Sequence, residues 1–198
     1  MFRRLALIAS MLTLAAPLAF AQSAPQSAPG YRPLYTRYVG LSGSWLVPEG
    51  DFADFADKGW SATLEGYQFT NQTRKIAAGT EVGYYDFPGK ENALGIDSKM
   101  WTVPVDLALR VFPRADKGVL SPFIQGGIGF NYIQTEVGNV VDKDVKFGTQ
   151  AGFGALLNSS GKTSLKVDAV YHWIFSGNNN SNVEFWSVRA GIVWPMVK

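Results

Sequence analysis

The stretch Lys99 to Phe112 reads KMWTVPVDLALRVF. Taking every second residue splits it into an apolar set, Trp101, Val103, Val105, Leu107, Leu109 and Val111, and a mixed set, Thr102, Pro104, Asp106, Ala108 and Arg110. Successive side chains of a strand point to opposite faces, so this segment is predicted to be a strand with one greasy face and one face of small, polar and ionised groups. The same division runs through 163–175, where Leu165, Val167, Ala169, Tyr171, Trp173 and Phe175 oppose Lys166, Asp168, Val170, His172 and Ile174. In 183–195, Trp186, Val188, Ala190, Ile192 and Trp194 oppose Ser187, Arg189, Gly191 and Val193.

Working outward from these segments, the period-two pattern marks eight strands at 38–48, 59–69, 75–87, 99–112, 119–134, 145–157, 163–175 and 183–195. Polar, Gly- or Pro-containing clusters separate them, as turns require. The connections after odd strands (Glu49 to Lys58, Pro88 to Ser98, Thr135 to Asp144, Ser176 to Asn182) are longer than most of those after even ones (Asn71 to Arg74, Pro113 to Gly118, Asn158 to Lys162). An all-β, eight-stranded antiparallel up-and-down transmembrane barrel produces this alternation when both termini lie on the short-turn side, which in the bacterial outer membrane is periplasmic.

Every ionisable residue inside the strand cores belongs to the mixed set: Glu65, Glu81, Asp106, Arg110, Lys166, Asp168, His172 and Arg189. Were the apolar set turned inward, Arg110, Lys166 and Arg189 would face hydrocarbon at about 2 to 4 kcal/mol each near the midplane. That sum rivals the whole net stability of a domain, about 5 to 15 kcal/mol. The mixed set is therefore predicted to line the lumen, where these residues form a network of opposite charges.

Aromatics on the apolar parity recur near the strand ends that border the longer connections: Trp45, Trp60, Tyr84, Trp101, Tyr132, Phe147, Trp173 and Trp186. Trp and Tyr gather where a membrane meets water, so these eight are read as one lipid-facing girdle. They are expected to pair across hairpins as Trp45 with Trp60, Tyr84 with Trp101, Tyr132 with Phe147, and Trp173 with Trp186. A soluble barrel with the apolar face inward is the alternative, but it would crowd eight bulky rings into one mouth. Pro104 sits inside strand four, where a closed sheet tolerates a missing donor poorly, so a bulge or local break is expected there.

Composition narrows the function classes. The chain of 198 residues has no Cys, which removes disulfides, thiolate metal sites, cysteine nucleophiles and a lipid anchor on Cys. A single His makes a transition-metal site unfavourable, and no cofactor is expected. Of 18 basic residues two, Arg3 and Arg4, fall in the leader described next, which leaves 16 against 16 acidic ones and no basic surface for nucleic acid.

Residues 1–21 read as a cleaved signal peptide: Arg3 and Arg4, an apolar run from Leu5 to Phe20, and the small-x-small pattern Ala19, Phe20, Ala21. Residues 22–37, with a repeated Gln-Ser-Ala-Pro, read as a flexible Pro/Ala/Ser-rich segment, and 38–198 as the barrel domain.

The segment PFIQGGIGFNY at Pro122 to Tyr132, and Gly59 to Tyr85 with its Asn-Gln-Thr-Arg turn and EVGYY, resemble the small outer-membrane β-barrel family of OmpA- and OmpX-like proteins. The resemblance spans about 38–198 and implies the fold and the bacterial outer membrane. It also implies contact with outer-membrane lipids and lipopolysaccharide and handling by the barrel-insertion machinery. Such barrels often close on a terminal aromatic, whereas this chain closes on Trp194, Pro195, Met196, Val197, Lys198.

A structural or surface-interaction role is the expected function, with surface partners unspecified. A narrow channel is the alternative, because inward Gly79, Gly83, Gly127, Gly129, Gly152 and Gly154 leave room for water. A lipid hydrolase ranks third. His172 lies roughly 13 Å along an extended strand from both Asp168 and Ser176, out of contact, although neighbouring strands supply groups such as Ser187. No catalytic set is assigned.

Overall fold

The computed structural model describes residues 37–70, 75–90, 98–113, 120–138, 140–159, 163–176 and 182–196. The signal peptide, nearly all of the 22–37 segment and parts of most connections lie outside the described residues.

All eight predicted strands form: β1 (Arg37–Glu49), β2 (Gly59–Phe69), β3 (Ile76–Pro88), β4 (Ser98–Val111), β5 (Leu120–Val137), β6 (Val140–Ser159), β7 (Thr163–Ile174) and β8 (Val183–Met196). They pair antiparallel in sequence order, and β8 returns to β1 to close the barrel. Closure leaves no sheet edge along the wall. One helical turn, α1 (Phe52–Phe55), stands between β1 and β2 at the end of the barrel opposite the strand termini Arg37 and Met196. That end is called here the loop end, and the other the terminal end.

Parity sorts the faces as the sequence implies. Trp45 (58% exposed), Trp60 (51%) and Leu107 (60%) point outward, and so do Leu165, Val167, Val188 and Ile192. Glu65, Glu81, Asp106, Arg110, Lys166, Asp168, His172 and Arg189 are buried inside. The inverted, soluble arrangement is thereby excluded.

The interior is layered. At the terminal end Tyr38, Tyr67, Phe69, Phe112, Phe123 and Leu156 pack into one apolar plug. At the loop end Leu46, Phe52, Tyr85, Phe87, Met100 and Phe185 pack into another. The ionised residues lie between. Sequence reading assigned the mixed face to polar groups and overlooked that its aromatics collect at the two ends.

Three expectations need correction. The connection Thr135 to Asp144 is mostly strand: β5 and β6 continue beyond the rim and turn at Gly138, whose φ of 56° suits glycine. Its polar composition suggested a loop, but a hairpin solvated on both faces needs no apolar side. On the side away from β5, β6 pairs with β7 only from Gly148 onward. Among the described residues no strand pairs with that side of Val140 to Lys146. There the Lys143 N–H donates to Asp142 Oδ1 (2.9 Å) and the Val145 N–H to Asp144 Oδ1 (2.8 Å).

Of the two outcomes expected at Pro104, a bulge or a local break, the sheet has the break. The β3–β4 register is the same on both sides of it, Val82 opposite Val105 and Tyr85 opposite Thr102, and only the pairing of Gly83 and Tyr84 is interrupted. Pro104 still opposes Asn131 on β5. The break is local, as a missing donor directed to one neighbour requires.

Trp101 has the outward parity but is 3% exposed, flanked by Tyr84 and Tyr132 with ring centroids 5.9 and 5.5 Å away. It shares the outward parity of the other seven rings but is covered by its neighbours. Ring pairing also differs in part from expectation: Trp45 opposes Trp60 and Tyr84 stacks on Trp101, but Phe147 meets Phe130 and Phe175, and Trp186 meets Tyr171 while Trp173 stacks on Phe175. The antiparallel register explains this, since Val145 opposes Tyr132 and Glu184 opposes Trp173.

Candidate functional site

The barrel interior is the most chemically loaded region of the chain, and its centre is Arg110 on β4. Its Nη1 donates to Glu65 Oε1 (3.1 Å) and its Nη2 to Glu65 Oε2 (2.8 Å), a two-pronged match of planar groups. The same Nη2 reaches Glu81 Oε1 (3.0 Å), and Nε donates to Gln125 Oε1 (2.9 Å). Its guanidinium carbon stands 4.0 Å from the centroid of Tyr67, which adds cation–π attraction on the side facing the terminal plug.

Arg189 on β8 repeats the theme. Nε donates to both oxygens of Asp168 (3.0 and 3.1 Å), and Nη1 spans the barrel to Glu81 Oε2 (2.7 Å). Lys166 on β7 donates to Glu65 and lies 3.5 Å from Asp168. Tyr67 donates its hydroxyl proton to Glu81 Oε1 (2.6 Å). Three cations and three carboxylates thus form one web spanning β2, β3, β4, β7 and β8. Charges removed from water are costly unless they are paired this closely.

Two predicted members stand apart. Asp106 is buried and directly opposite Glu81, yet makes no ion pair among the described residues. On β4 it stands two inward steps from Arg110, with Ala108 between them, and the Arg110 fork is already committed to Glu65 and Glu81. His172 is outside the web too: it bonds Ser187 Oγ (Nε2 to Oγ 3.0 Å) and stacks on Phe185 at 4.7 Å, against the loop-end plug.

The inward glycines stand close against neighbouring groups. A Cβ on Gly79 would overlap the Tyr67 ring, one on Gly129 would strike Asp106, and one on Gly154 would strike Asp168 and Phe123. They give space to neighbouring side chains, whose rings and carboxylates fill the section.

His172 and Ser187 meet as hydrolytic partners would, but both are buried in the lumen, and Ser187 also donates to the Val170 carbonyl (3.3 Å). Tyr85 and Phe185 of the loop-end plug pack directly on the His172 ring. Among the described residues no group of acidic or His side chains is placed to hold a metal.

An outward apolar belt around a closed sheet with its ions sealed inside is the pattern of a bilayer-spanning barrel. Residues 6–194 match the outer membrane protein beta-barrel domain. The chain belongs to this family. Comparison with curated proteins returns no match.

Among solved structures, the chain is similar to Neisserial surface protein A, with TM-score 0.61 and 15% identity over 81% of this chain and 97% of that one. It is also similar to a major outer membrane protein from Thermus thermophilus (TM-score 0.53, 11% identity, 81% and 99% covered). A third likeness is to the outer membrane protein OprG from Pseudomonas aeruginosa (0.50, 13%, 83% and 98%). At these identities the likeness establishes the shared barrel fold and nothing finer. Members of one barrel family can differ widely in role.

Proposed function

We propose that this outer-membrane barrel is a sealed wall element with a structural or surface-interaction role. One observation carries the reading: Arg189 reaches across the lumen to Glu81, Arg110 joins Glu65 and Glu81 to the same web, and an apolar plug lies at each end of that layer. An eight-stranded barrel is just wide enough for side chains to fill, and here they fill it. A narrow channel would need the web to part, leaving buried charges without partners.

In this reading the termini are periplasmic, the loop end faces outward, and residues 1–21 are the export signal, removed on passage. The girdle and the leucine- and valine-rich belt meet outer-membrane lipids, with lipopolysaccharide in the outer leaflet, and the barrel-insertion machinery assembles the sheet. The inward seclusion of His172 and Ser187 speaks against lipid hydrolysis.

Reconstitution in planar bilayers tests the proposal. The expected result is an unaltered membrane current with folded barrel present. Stable conductance steps, changed in size by Arg189→Ala, would overturn it in favour of a channel.

A further inference from the structure

Outside the sealed lumen, at the loop end, α1 and the rims of β4, β5 and β8 enclose a pocket of about 490 Å³. Phe52, Phe55, Met100, Val137 and Val183 supply its apolar walls, and Lys99 its cation. The volume lies within the ~300–1,000 Å³ of small-molecule sites, which are mostly apolar with a few placed polar groups.

The wall is fixed in place. Ser98 Oγ donates to the Phe55 carbonyl (3.3 Å), the Lys90 N–H to the same carbonyl (3.1 Å), and the Asp57 N–H to the Pro88 carbonyl (2.7 Å). Phe52 packs edge-on against Phe87 of the plug, ring centroids 5.1 Å apart. Gly89 permits this closeness, because a side chain there would collide with the Ser98 backbone. The pocket is therefore held open by hydrogen bonds and packing before any ligand arrives, which lowers the entropic cost of binding.

We infer that this pocket binds a single-chain amphiphile with an anionic head, of the long-chain carboxylate class. Phe55 is 67% exposed at the pocket rim, although its neighbour Phe52 is driven into the plug. An alkyl chain lying between Phe55, Met100 and Val137 would cover that ring and gain its burial. Lys99 selects the head. Its ammonium carries three donors and forms an ion pair with Asp86 at 3.3 Å, while 45% of the side chain stays exposed.

The chain has four methionines, of which Met100 lies at the pocket and Met196 at the far end of the barrel. Titrating dodecanoate into the full chain, folded in lipid nanodiscs and labelled with ¹³C at the methionine methyls, separates a site from partition into lipid. The Met100→Leu and Met196→Leu variants assign these two signals apart from those of Met1 and Met11. The expected result is a saturable shift of the Met100 methyl with Met196 unmoved, and about tenfold weaker binding in Lys99→Gln, as loss of a charge-assisted hydrogen bond gives. Dodecanol should bind Lys99→Gln and the unaltered protein alike.

Val137→Asp, at the hairpin tip where a charge is tolerated, should abolish the shift while the barrel stays folded by its heat-dependent migration on gels. Movement of both methyls together, without saturation, would mean lipid partition and overturn the inference, and so would a silent Met100 in the unaltered protein.

Discussion

Arg110 and Glu65 meet across an intervening strand: β3 separates their strands, yet both terminal nitrogens of one contact both oxygens of the other, at 3.1 and 2.8 Å, with neither side chain exposed. Strands separated by a third lie about 10 Å apart, a span that these two long side chains cover by leaning toward each other over β3. The pair ties β2 to β4 as well as balancing charge.

Removing one side of this pair leaves the other charge buried with fewer partners. Arg110→Met should cost about 3 to 5 kcal/mol. The temperature at which the folded band disappears on gels should fall accordingly. Arg110→Met combined with Glu65→Gln should recover part of that loss, because the stranded carboxylate is gone. A double variant no better than the single one would show that packing, not charge, governs the site.

The carboxylates are not equivalent. Asp168 accepts from Arg189 and neighbours Lys166, whereas Asp106 faces Glu81 with no cation in contact among the described residues. Like charges directly opposite on neighbouring strands are destabilising. Asp106→Asn should therefore leave stability unchanged or raise it by up to about 1 kcal/mol, while Asp168→Asn should lower it by several times that. Equal losses in the two variants, measured by urea unfolding from vesicles, would contradict this ranking.

Leu107 sits midway along the outer face of β4, far from the girdle residue Trp101 at its end. Leu107→Arg should cost about 2 to 4 kcal/mol by placing a charge in hydrocarbon. Val137→Arg, beyond the rim, should cost almost nothing. Folding yields in bilayers would compare the two, and similar penalties would argue against the membrane level assigned to the belt.

Much of this was legible from period two alone. Leu107 against Arg110, or Val167 against Asp168, states which face is which, because parity is a property of the local chain. The choice of outward over inward followed from the cost of Arg110, Lys166 and Arg189 in lipid. The ionic pairing was not legible. Arg189 and Glu81 are 108 residues apart, and they meet only after closure sets the stagger between strands.

The plugs escaped notice for a related reason. Phe112, Phe123 and Phe185 look like scattered exceptions on a polar parity until the barrel gathers them at its ends. Trp101 shows the converse limit, since parity gives direction but not what stands alongside. The β5–β6 extension was missed because turn-like composition stops predicting loops once both faces of a hairpin are wet.

The hairpin tip beyond the rim has one further consequence. By turning Asp142 and Asp144 back on the amides that follow them, β6 has already spent the donors a foreign strand would grasp. A stray chain sliding along this border finds two donors already taken, which weakens the zipper it could form with its neighbours in a crowded membrane. Recognition of the tip therefore leans on the side chains of Val141, Lys143 and Val145.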